Sequence, residues 1–252
     1  MQRYFIEQSK IDSRLVLPTE IYHHAVIVMR MKPGDCFEVV AADKKVAVME
    51  LEEIAEHSAT ARVCKKIEHT VELPLQVTIV CGLSKKDKAD WIVQKATELG
   101  AQHFIFFSGD YSIVKWDKKK QEKKLVRLRK IIRGASEQSH RVMVPTVSYI
   151  ENIKTLQLEK YSEKMVAYEE AAKEGETASL AKIVSKVKKQ QGSIKDLHLV
   201  AVFGPEGGIS PAEIQYLKSN DFSLTGLGPR IMRAETAPLY LLSALSYALE
   251  LN

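Results

Sequence analysis

Two glycine-rich segments near the C-terminal end constrain the fold of this chain more than any other feature. Residues 204–210 read GPEGGIS, and residues 226–237 read GLGPRIMRAETA. Each segment follows an apolar run typical of a strand and precedes a helical pattern. Glycine lets the backbone turn sharply and approach a ligand closely. Two such loops side by side would form a cleft floored by backbone groups, to which the second loop adds Arg230, Arg233 and Glu235.

The first glycine-rich segment is not a known phosphate-binding loop. It lacks the Gly-Lys-Ser/Thr ending of a Walker A loop, and it does not match GxGxxG. A helix that begins directly after it could still attract an anion such as a carboxylate. Residues 210–213, SPAE, predict that helix start through a capping box with proline at the first helical position. The alternative interpretation is a tight strand-to-helix turn without a ligand.

Composition excludes several classes of protein. The 252 residues are 45% hydrophobic, which is enough for a core, and no apolar run approaches the ~20 residues of a membrane span. The opening residues MQRYFIEQSK lack the apolar stretch of a signal peptide, so we expect a cytoplasmic protein. The 3 cysteines, Cys36, Cys64 and Cys81, have no metal-like spacing, so we expect neither a disulfide framework nor a metal site. The net charge of +5 is a mild bias toward polyanions.

The pattern of predicted elements changes near Pro74. Residues 1–72 predict a small β-barrel-type domain with one helix at 19–29 and strands at 14–17, 36–40, 46–51 and 60–65. Residues 73–252 predict an α/β domain, because alternating strands and helices favour a mostly parallel sheet. Its predicted strands are 75–82, 104–107, 165–168, 197–203 and 223–225. Its predicted helices are 88–99, 118–139, 179–189 and 236–249, with a loop at 190–193.

One predicted helix carries a strong excess of positive charge. Between residues 115 and 133 the acidic residues are Asp117 and Glu122, and the basic residues are Lys115, Lys118, Lys119, Lys120, Lys123, Lys124, Arg127, Arg129, Lys130 and Arg133. Leu125, Leu128 and Ile132 give the same helix an apolar stripe. A solvated face is one interpretation, whereas the density of one sign favours contact with a nucleic-acid backbone. The candidate RNA contacts are Arg3, Arg30, Lys119, Lys123, Arg127 and Lys130.

Several segments resemble a known family. GPEGGIS and LGPRIMRAETA resemble the C-terminal signature segments of the bacterial 16S ribosomal RNA uridine N3-methyltransferases of the knotted SPOUT superfamily. KADWIVQKATELGAQ at 88–102 and KIIRGASEQSHRVMVP at 130–145 fit the same family. MQRYFIE and HHAVIVMRMKPGDCFEVV resemble its small RNA-binding domain. The resemblance covers nearly the whole chain, with one departure in that Ala234 stands where the family often has threonine.

The resemblance implies a fold, an activity and partners. The fold would be a knotted parallel-sheet methyltransferase domain preceded by a PUA-like β-barrel domain. The enzyme would use S-adenosylmethionine to methylate N3 of a specific uridine in 16S ribosomal RNA of the small (30S) ribosomal subunit. It would form a homodimer through its C-terminal helices, with a trefoil knot in the last part of the chain. Neither a metal nor a membrane is implied.

The resemblance also implies roles for individual residues. The cofactor would be bound by Phe203, Gly204, Pro205, Glu206, Gly207, Gly208, Leu227, Gly228, Ile231, Met232 and Ala234. The residues at the reaction centre would be Arg233, Glu235 and Arg141. Loss of the uridine N3 proton places negative charge on N3 and the flanking carbonyl oxygens, which an arginine would stabilise. A carboxylate or a water would take the proton.

Some assignments stay open from the sequence. Glu206 either holds its loop through backbone amides or contacts the ribose hydroxyls of the cofactor. The alternative to a functional role for Arg230 and Arg233 is that they are solvated surface residues or cap the last helix. Ribose 2′-O-methylation is a rival activity, although RAETA does not resemble the Asn/Ser-rich final motif of those enzymes. A ribosome-binding or assembly factor without catalysis is the rival from another class.

Overall fold

The chain forms two compact units. The computed structural model describes residues 1–68, 71–173, 178–189 and 197–251. The first unit comprises Met1–Glu72 and Ser136–Met143, and the second comprises Leu73–Ala135 and Val144–Asn252. The sequence division at residue 72 assigned all later residues to the second domain, so the segment Ser136–Met143 is a departure from it. The loop predicted at 190–193 lies outside the described residues.

The first unit is built on a five-stranded curled sheet. Its strands are β1 (Arg3–Phe5), β2 (Arg14–Val16), β3 (Cys36–Val40), β4 (Val46–Ile54) and β5 (Ala59–Ile67), in the order β1-β3-β4-β5-β2. The β1–β3 pair is parallel and the other pairs are antiparallel. A short helix, α1 (Thr19–Tyr22), continues into a π-helical segment at His23–Val28. Side chains such as Phe37, Met49 and Leu51 are buried beneath the sheet.

Buried charges fasten the segment Ser136–Met143 to this sheet. Glu38 on β3 accepts hydrogen bonds at 2.8 Å from Arg3 Nε and pairs at 2.8 Å with Nδ1 of His140. Arg3 also donates to the backbone carbonyls of His140 and Arg141. Val142 packs with buried valines of β3 and β4. Because buried charges are tolerated only when they are paired, this network specifies the position of the segment.

The second unit is built on a six-stranded parallel sheet. Its strands are β6 (Gln76–Gly82), β7 (His103–Phe107), β8 (Thr146–Ile150), β9 (Glu163–Ala167), β10 (His198–Phe203) and β11 (Ser223–Thr225), in the order β11-β9-β10-β6-β7-β8. Its helices are α2 (Lys88–Glu98), α3 (Lys118–Gln138), α4 (Glu169–Lys173), α5 (Ser179–Lys189), α6 (Pro211–Ser219) and α7 (Thr236–Ser246). A 3₁₀ turn lies at Ile153–Thr155, and a π-helical segment at Tyr247–Leu251 follows α7.

Both faces of this sheet are covered. Strand β10 reads HLVAVF, and all of its residues after His198 are buried. Ala201 faces a core that includes Leu242 of α7, whereas its neighbour Val202 faces a second core that includes Leu217 of α6. Continuous apolar strands are typical of parallel sheets packed on both sides, because successive side chains point to opposite faces. The predicted α/β class with a parallel sheet is confirmed.

The strand order places the glycine-rich loops together. Strands β6, β7 and β8 run side by side toward one edge, but β10 lies between β6 and β9, and β11 lies beyond β9. The strand order therefore reverses at β10. Ligands of open α/β sheets bind outside the carboxyl ends of the strands at such a reversal.

Within the described residues, no helix combines the length and apolar character that crossing a lipid bilayer requires.

Candidate active site

The loops that follow β9, β10 and β11 line one open cleft of about 810 Å³ in the second unit. Every residue that the sequence analysis assigned to the cofactor lines this cleft: Phe203, Gly204, Pro205, Glu206, Gly207, Gly208, Leu227, Gly228, Ile231, Met232 and Ala234. Arg230 and Arg233 line it as well. The topology therefore brings together two segments that the sequence separates.

The GPEGG loop is packed tightly on its inner side. A Cβ added at Gly204 would lie 2.9 Å from the backbone carbon of Gly208, and one added at Gly82 would lie 2.5 Å from Cδ of Pro205. The loop therefore presses against its own turn and against the end of β6. The helix start predicted after it is confirmed, because Ser210 and Glu213 form a capping box at the start of α6.

The outer side of the two loops is open. Gly208 has φ +79° and Gly228 has φ +97°, which is the left-handed region that favours glycine. A Cβ added at Gly208 would meet no atom within 4 Å, and one at Gly228 would meet only Tyr240 Oη, at 4.0 Å. Backbone groups at both positions are therefore accessible to a ligand in the cleft.

A loop after β7 contributes Tyr111 to the rim of the cleft. Two partly buried hydrogen bonds hold this loop on the start of α6: Asp110 N–H donates to Glu213 at 3.1 Å, and the hydroxyl of Ser210 donates to the carboxylate of Asp110. Tyr111 is 48% exposed and lies against Gly207, where an added Cβ would be 3.0 Å from Tyr111 Cβ. The sequence analysis did not find Tyr111, because no local motif connects it with residues 100 positions away along the chain.

Lys88, the first residue of α2, connects the two glycine-rich loops. Its ammonium lies 3.1 Å from Oε1 of Glu206 and 3.0 Å from Oε2 of Glu235. Glu206 Oε1 also accepts a hydrogen bond from the backbone N–H of Lys85 at 3.1 Å. The sequence analysis gave Lys88 no role, although it lies at the start of a segment that fits the family resemblance.

The charges of this trio stabilise one another. Burial alone would raise the pKa of Glu206 and of Glu235, but hydrogen bonds from their own backbone amides and from Lys88 outweigh burial and lower both pKa values. Burial alone would lower the pKa of Lys88, but the hydrogen bonds that its ammonium donates to the two carboxylates raise it. All three side chains are therefore charged at neutral pH.

Arg233 lies in the cleft with an exposed side chain. Its carbonyl accepts hydrogen bonds from Thr236 N–H at 2.9 Å and Ala237 N–H at 3.2 Å, so its backbone begins α7. Its positive charge contributes to the lowered pKa of Glu235. Among the ion pairs of the described residues, none includes the guanidinium of Arg233, which leaves it available to a ligand.

Arg141 belongs to the first unit and is buried, with 2% of its surface exposed. Its Nε donates to Oε2 of Glu72 at 2.8 Å, its Nη2 pairs with the same oxygen, and Glu72 Oε1 accepts from the backbone N–H of Val142 at 2.9 Å. The structure thus gives Arg141 an ion pair that holds the segment Ser136–Met143. Its role at the reaction centre remains a prediction.

Among the candidate RNA contacts, Arg3 is buried, whereas the others are exposed. Arg3 is 4% exposed and its guanidinium is bound to Glu38, so the predicted RNA contact does not agree with its buried position. Arg30 is exposed and has φ +56°. Arg127 is exposed and pairs with Asp90 on α2.

Helix α3 separates a basic face from an apolar one. Lys119, Lys123, Arg127 and Lys130 are exposed and fall within about 80° of the helix circumference, since successive residues are about 100° apart. The buried residues Leu125, Leu128 and Ile132 lie on the opposite side. Packing therefore turns the basic side chains toward solvent.

Within the described ranges, no cluster of three or more His, Cys, Asp or Glu is placed to hold a metal ion.

Comparison with known proteins agrees with this geometry. A family model for an RNA methyltransferase domain matches residues 71–246, and a model for an RNA methyltransferase PUA domain matches residues 17–64. Ribosomal RNA small subunit methyltransferase E from Bacillus subtilis (strain 168) is 42% identical over 257 residues, which cover 100% of this chain and 98% of that protein. The chain belongs to the ribosomal RNA small subunit methyltransferase E family. The family predicted from the sequence is confirmed.

Solved structures show the same fold over the whole chain. The crystal structure of a hypothetical protein has a TM-score of 0.89 at 41% identity and matches 99% of both chains. A ribosomal RNA small subunit methyltransferase E from Neisseria gonorrhoeae, solved bound to S-adenosyl methionine, has a TM-score of 0.79 at 25% identity, with 98% of this chain and 97% of that chain covered. The predicted methyltransferase domain with a PUA-like domain is thus confirmed for this family member.

The open backbone of the cleft gives a first prediction. Gly228→Ala should weaken binding of S-adenosylmethionine about tenfold or more, because a Cβ there enters the space that faces the ligand and the left-handed backbone is strained. Gly34→Ala is the matched control, since Gly34 has φ +94° and open space around it but lies in the first unit. Both variants should lose similar stability in thermal melts. Calorimetry showing unchanged affinity in Gly228→Ala would contradict the assignment of this loop.

Proposed function

We propose that this protein methylates N3 of a uridine in 16S ribosomal RNA of the small subunit, with S-adenosylmethionine as the methyl donor. The observation that carries the proposal is the cleft at the carboxyl ends of β9, β10 and β11, where both signature loops meet. Family membership supports ribosomal RNA methylation, and the S-adenosyl methionine bound to the Neisseria relative supports the cofactor. The uridine and the N3 position rest on the family resemblance of the loops.

The residues of the cleft fit the cofactor. Its volume of about 810 Å³ is in the usual range of 300–1,000 Å³ for small-molecule sites. Gly208 and Gly228 carry no side chain into the open space beside them, so a ligand can approach their backbone closely. Glu206 is ionised, so it accepts hydrogen bonds from ribose hydroxyls or an ammonium group. When bound, S-adenosylmethionine supplies an electrophilic methyl group on a sulfonium.

Arg233 is suited to stabilise the uracil. Removing the N3 proton leaves negative charge on N3 and on the neighbouring carbonyl oxygens. The guanidinium of Arg233 is exposed in the cleft and offers a planar set of donors to those oxygens. The pKa of Glu235 is lowered, so this carboxylate is ionised at neutral pH and is able to accept the N3 proton directly or through a water molecule.

Other surfaces of the chain supply the remaining parts of the proposal. The basic face of α3 and the PUA-like unit would bind the RNA of the 30S subunit. We also propose the family's homodimer through α7 and the π-helical segment after it, where Tyr240, Tyr247 and Leu251 are 40%, 61% and 76% exposed. The trefoil knot and the cytoplasmic location are parts of the same proposal.

Mapping of modified nucleotides tests the function. Mass spectrometry of 16S ribosomal RNA from cells that lack the gene should show one uridine without its N3-methyl group, and expression of the protein should restore that group. An Arg233→Ala protein expressed at the same level is the control for turnover. Loss of a ribose 2′-O-methyl group instead would assign the rival activity. An unchanged methylation pattern would leave the non-catalytic assembly factor as the function.

Arg233 gives a prediction about the transition state. Arg233→Ala should lower kcat by about 10²–10³, the usual cost of removing one preorganised oxyanion donor, while cofactor affinity changes little. Arg233→Lys should recover only part of the rate, because lysine is a point charge without a planar fork. Steady-state kinetics and calorimetry measure the two effects separately. A raised KM for RNA at unchanged kcat would instead show a uniform binding contact.

The basic face of α3 gives a prediction about salt dependence. Reversing Lys119, Lys123 and Lys130 to glutamate should weaken RNA binding and reduce the slope of log K against log salt by about 2, since each lost phosphate contact removes roughly 0.7–0.9. The control reverses Lys182, Lys189 and Lys218, which are exposed outside α3, and so makes the same change in net charge. Filter binding over a range of salt concentrations measures both. Equal slopes for the two triple variants would show that α3 is only a solvated face.

A further inference from the structure

Lys88 occupies a position that needs an electrostatic explanation. It is the first residue of α2, and the positive end of a helix dipole disfavours a cation at that position. Its side chain is only 22% exposed, so it has also lost much of its hydration. The compensation comes from Glu206 and Glu235, which lie 3.1 and 3.0 Å from its ammonium. No other charged group is needed to explain why this lysine is held at the cleft.

The contacts of Lys88 join three distant parts of the chain. Glu206 belongs to the GPEGG loop, Glu235 precedes α7, and Lys88 begins α2. The side chain of Glu235 is 18% exposed and that of Glu206 is 36% exposed, so both pairs are shielded more than ordinary surface ion pairs. Without the ammonium, the two carboxylates that it bridges would lie close together without a counter-charge and repel.

Glu206 keeps capacity to accept further hydrogen bonds. Oε2 of Glu235 is buried and lies 3.0 Å from the ammonium of Lys88, so this oxygen serves as a counter-charge for the lysine. An ionised carboxylate has about four acceptor positions. Glu206, which lines the cleft, can therefore bind Lys88 and a hydroxyl or ammonium group of a ligand at the same time.

From this geometry we propose that Lys88 is a positioning residue that ties the two cofactor loops together through Glu206 and Glu235 and presents Glu206 as an acceptor for the donor groups of the cofactor. The inference deepens the proposed function and rests on it. Lys88 acts through the two carboxylates, so its removal should disturb cofactor binding before it disturbs the methyl transfer itself.

Calorimetry on the full-length protein tests the effect of Lys88 on cofactor binding. Lys88→Met should weaken S-adenosylmethionine binding about tenfold, and Lys88→Arg should recover part of it because it restores the charge. Lys95→Met is the matched control on the same helix, since it removes the Lys95–Glu98 pair of 2.8 Å and should leave the affinity within about twofold. Equal affinity of wild type, Lys88→Met and Lys95→Met would overturn the inference.

A double-mutant comparison shows whether Lys88 works through its partners. In a Glu206→Gln/Glu235→Gln background the ammonium has no carboxylate to hold, so adding Lys88→Met should cost much less affinity than it does in the wild type. Additive losses would overturn the inference. Should Lys88→Met fail to fold, Lys88→Arg and Lys88→Gln measured in both backgrounds provide the same test.

The pH dependence of the melting temperature reports on the ion pairs of Lys88 in the absence of cofactor. Paired with Lys88, the two carboxylates have pKa values below their usual 4.5, so they stabilise the fold above that pH and lose the effect as the pH falls through their lowered values. The charged groups that face them are Lys88 and, for Glu235, Arg233, together with the Lys85 amide on Glu206. The difference in Tm between wild type and Lys88→Met should be largest near pH 7 and should shrink below about pH 4.

The calorimetric and the pH-dependent measurements distinguish failure of the positioning role of Lys88 from failure of the proposed function. If wild-type protein does not bind S-adenosylmethionine, the proposed function fails, while the pH-dependent difference in Tm still reports whether Lys88 holds the carboxylates. If wild type binds the cofactor but the Tm difference is independent of pH, the positioning role of Lys88 is wrong and the function stands.

Discussion

The insertion of β10 between β6 and β9 is the constraint on which the catalytic unit depends. This strand is buried on both faces, and it ends at Phe203, one residue before the GPEGG loop. Because its neighbours are parallel, the loops after β9, β10 and β11 all emerge at the same end of the sheet. The cleft is thus a result of strand order, and its residues need no proximity along the chain.

Electrostatics in the cleft follow from that arrangement. The ammonium of Lys88 lies between two carboxylates, and Arg233 adds a second positive charge beside Glu235. Both carboxylates are held ionised, which suits them to accept hydrogen bonds. Under the proposed function, Glu206 contributes to recognition of the cofactor, whereas the guanidinium of Arg233 stabilises the developing anion.

Regular elements with strong patterns were predictable from the sequence. The helix at Ser179–Lys189 and the strand at Cys36–Val40 have the predicted bounds, because their periodicity and flanking residues agree. Strands β1 and β8 were not predicted, and each is recognised by its pairing in the fold, with β3 and with β7. The helix predicted at 19–29 changes into a π-helical segment from His23 onward, and no propensity scale distinguishes these two forms.

The sequence by itself determined the family, the α/β class and the two loops that line the cleft, because glycines, prolines and a capping box act locally. Only the tertiary structure shows the partners of single charged residues. Arg3, a candidate RNA contact, and Arg141, a candidate for the reaction centre, are buried in ion pairs with Glu38 and Glu72. Lys88 had no predicted role, and its two carboxylate partners appear only in the fold. The contacts of a charged side chain depend on its partner, and the partners of these residues lie far away along the chain and are brought close only by the fold.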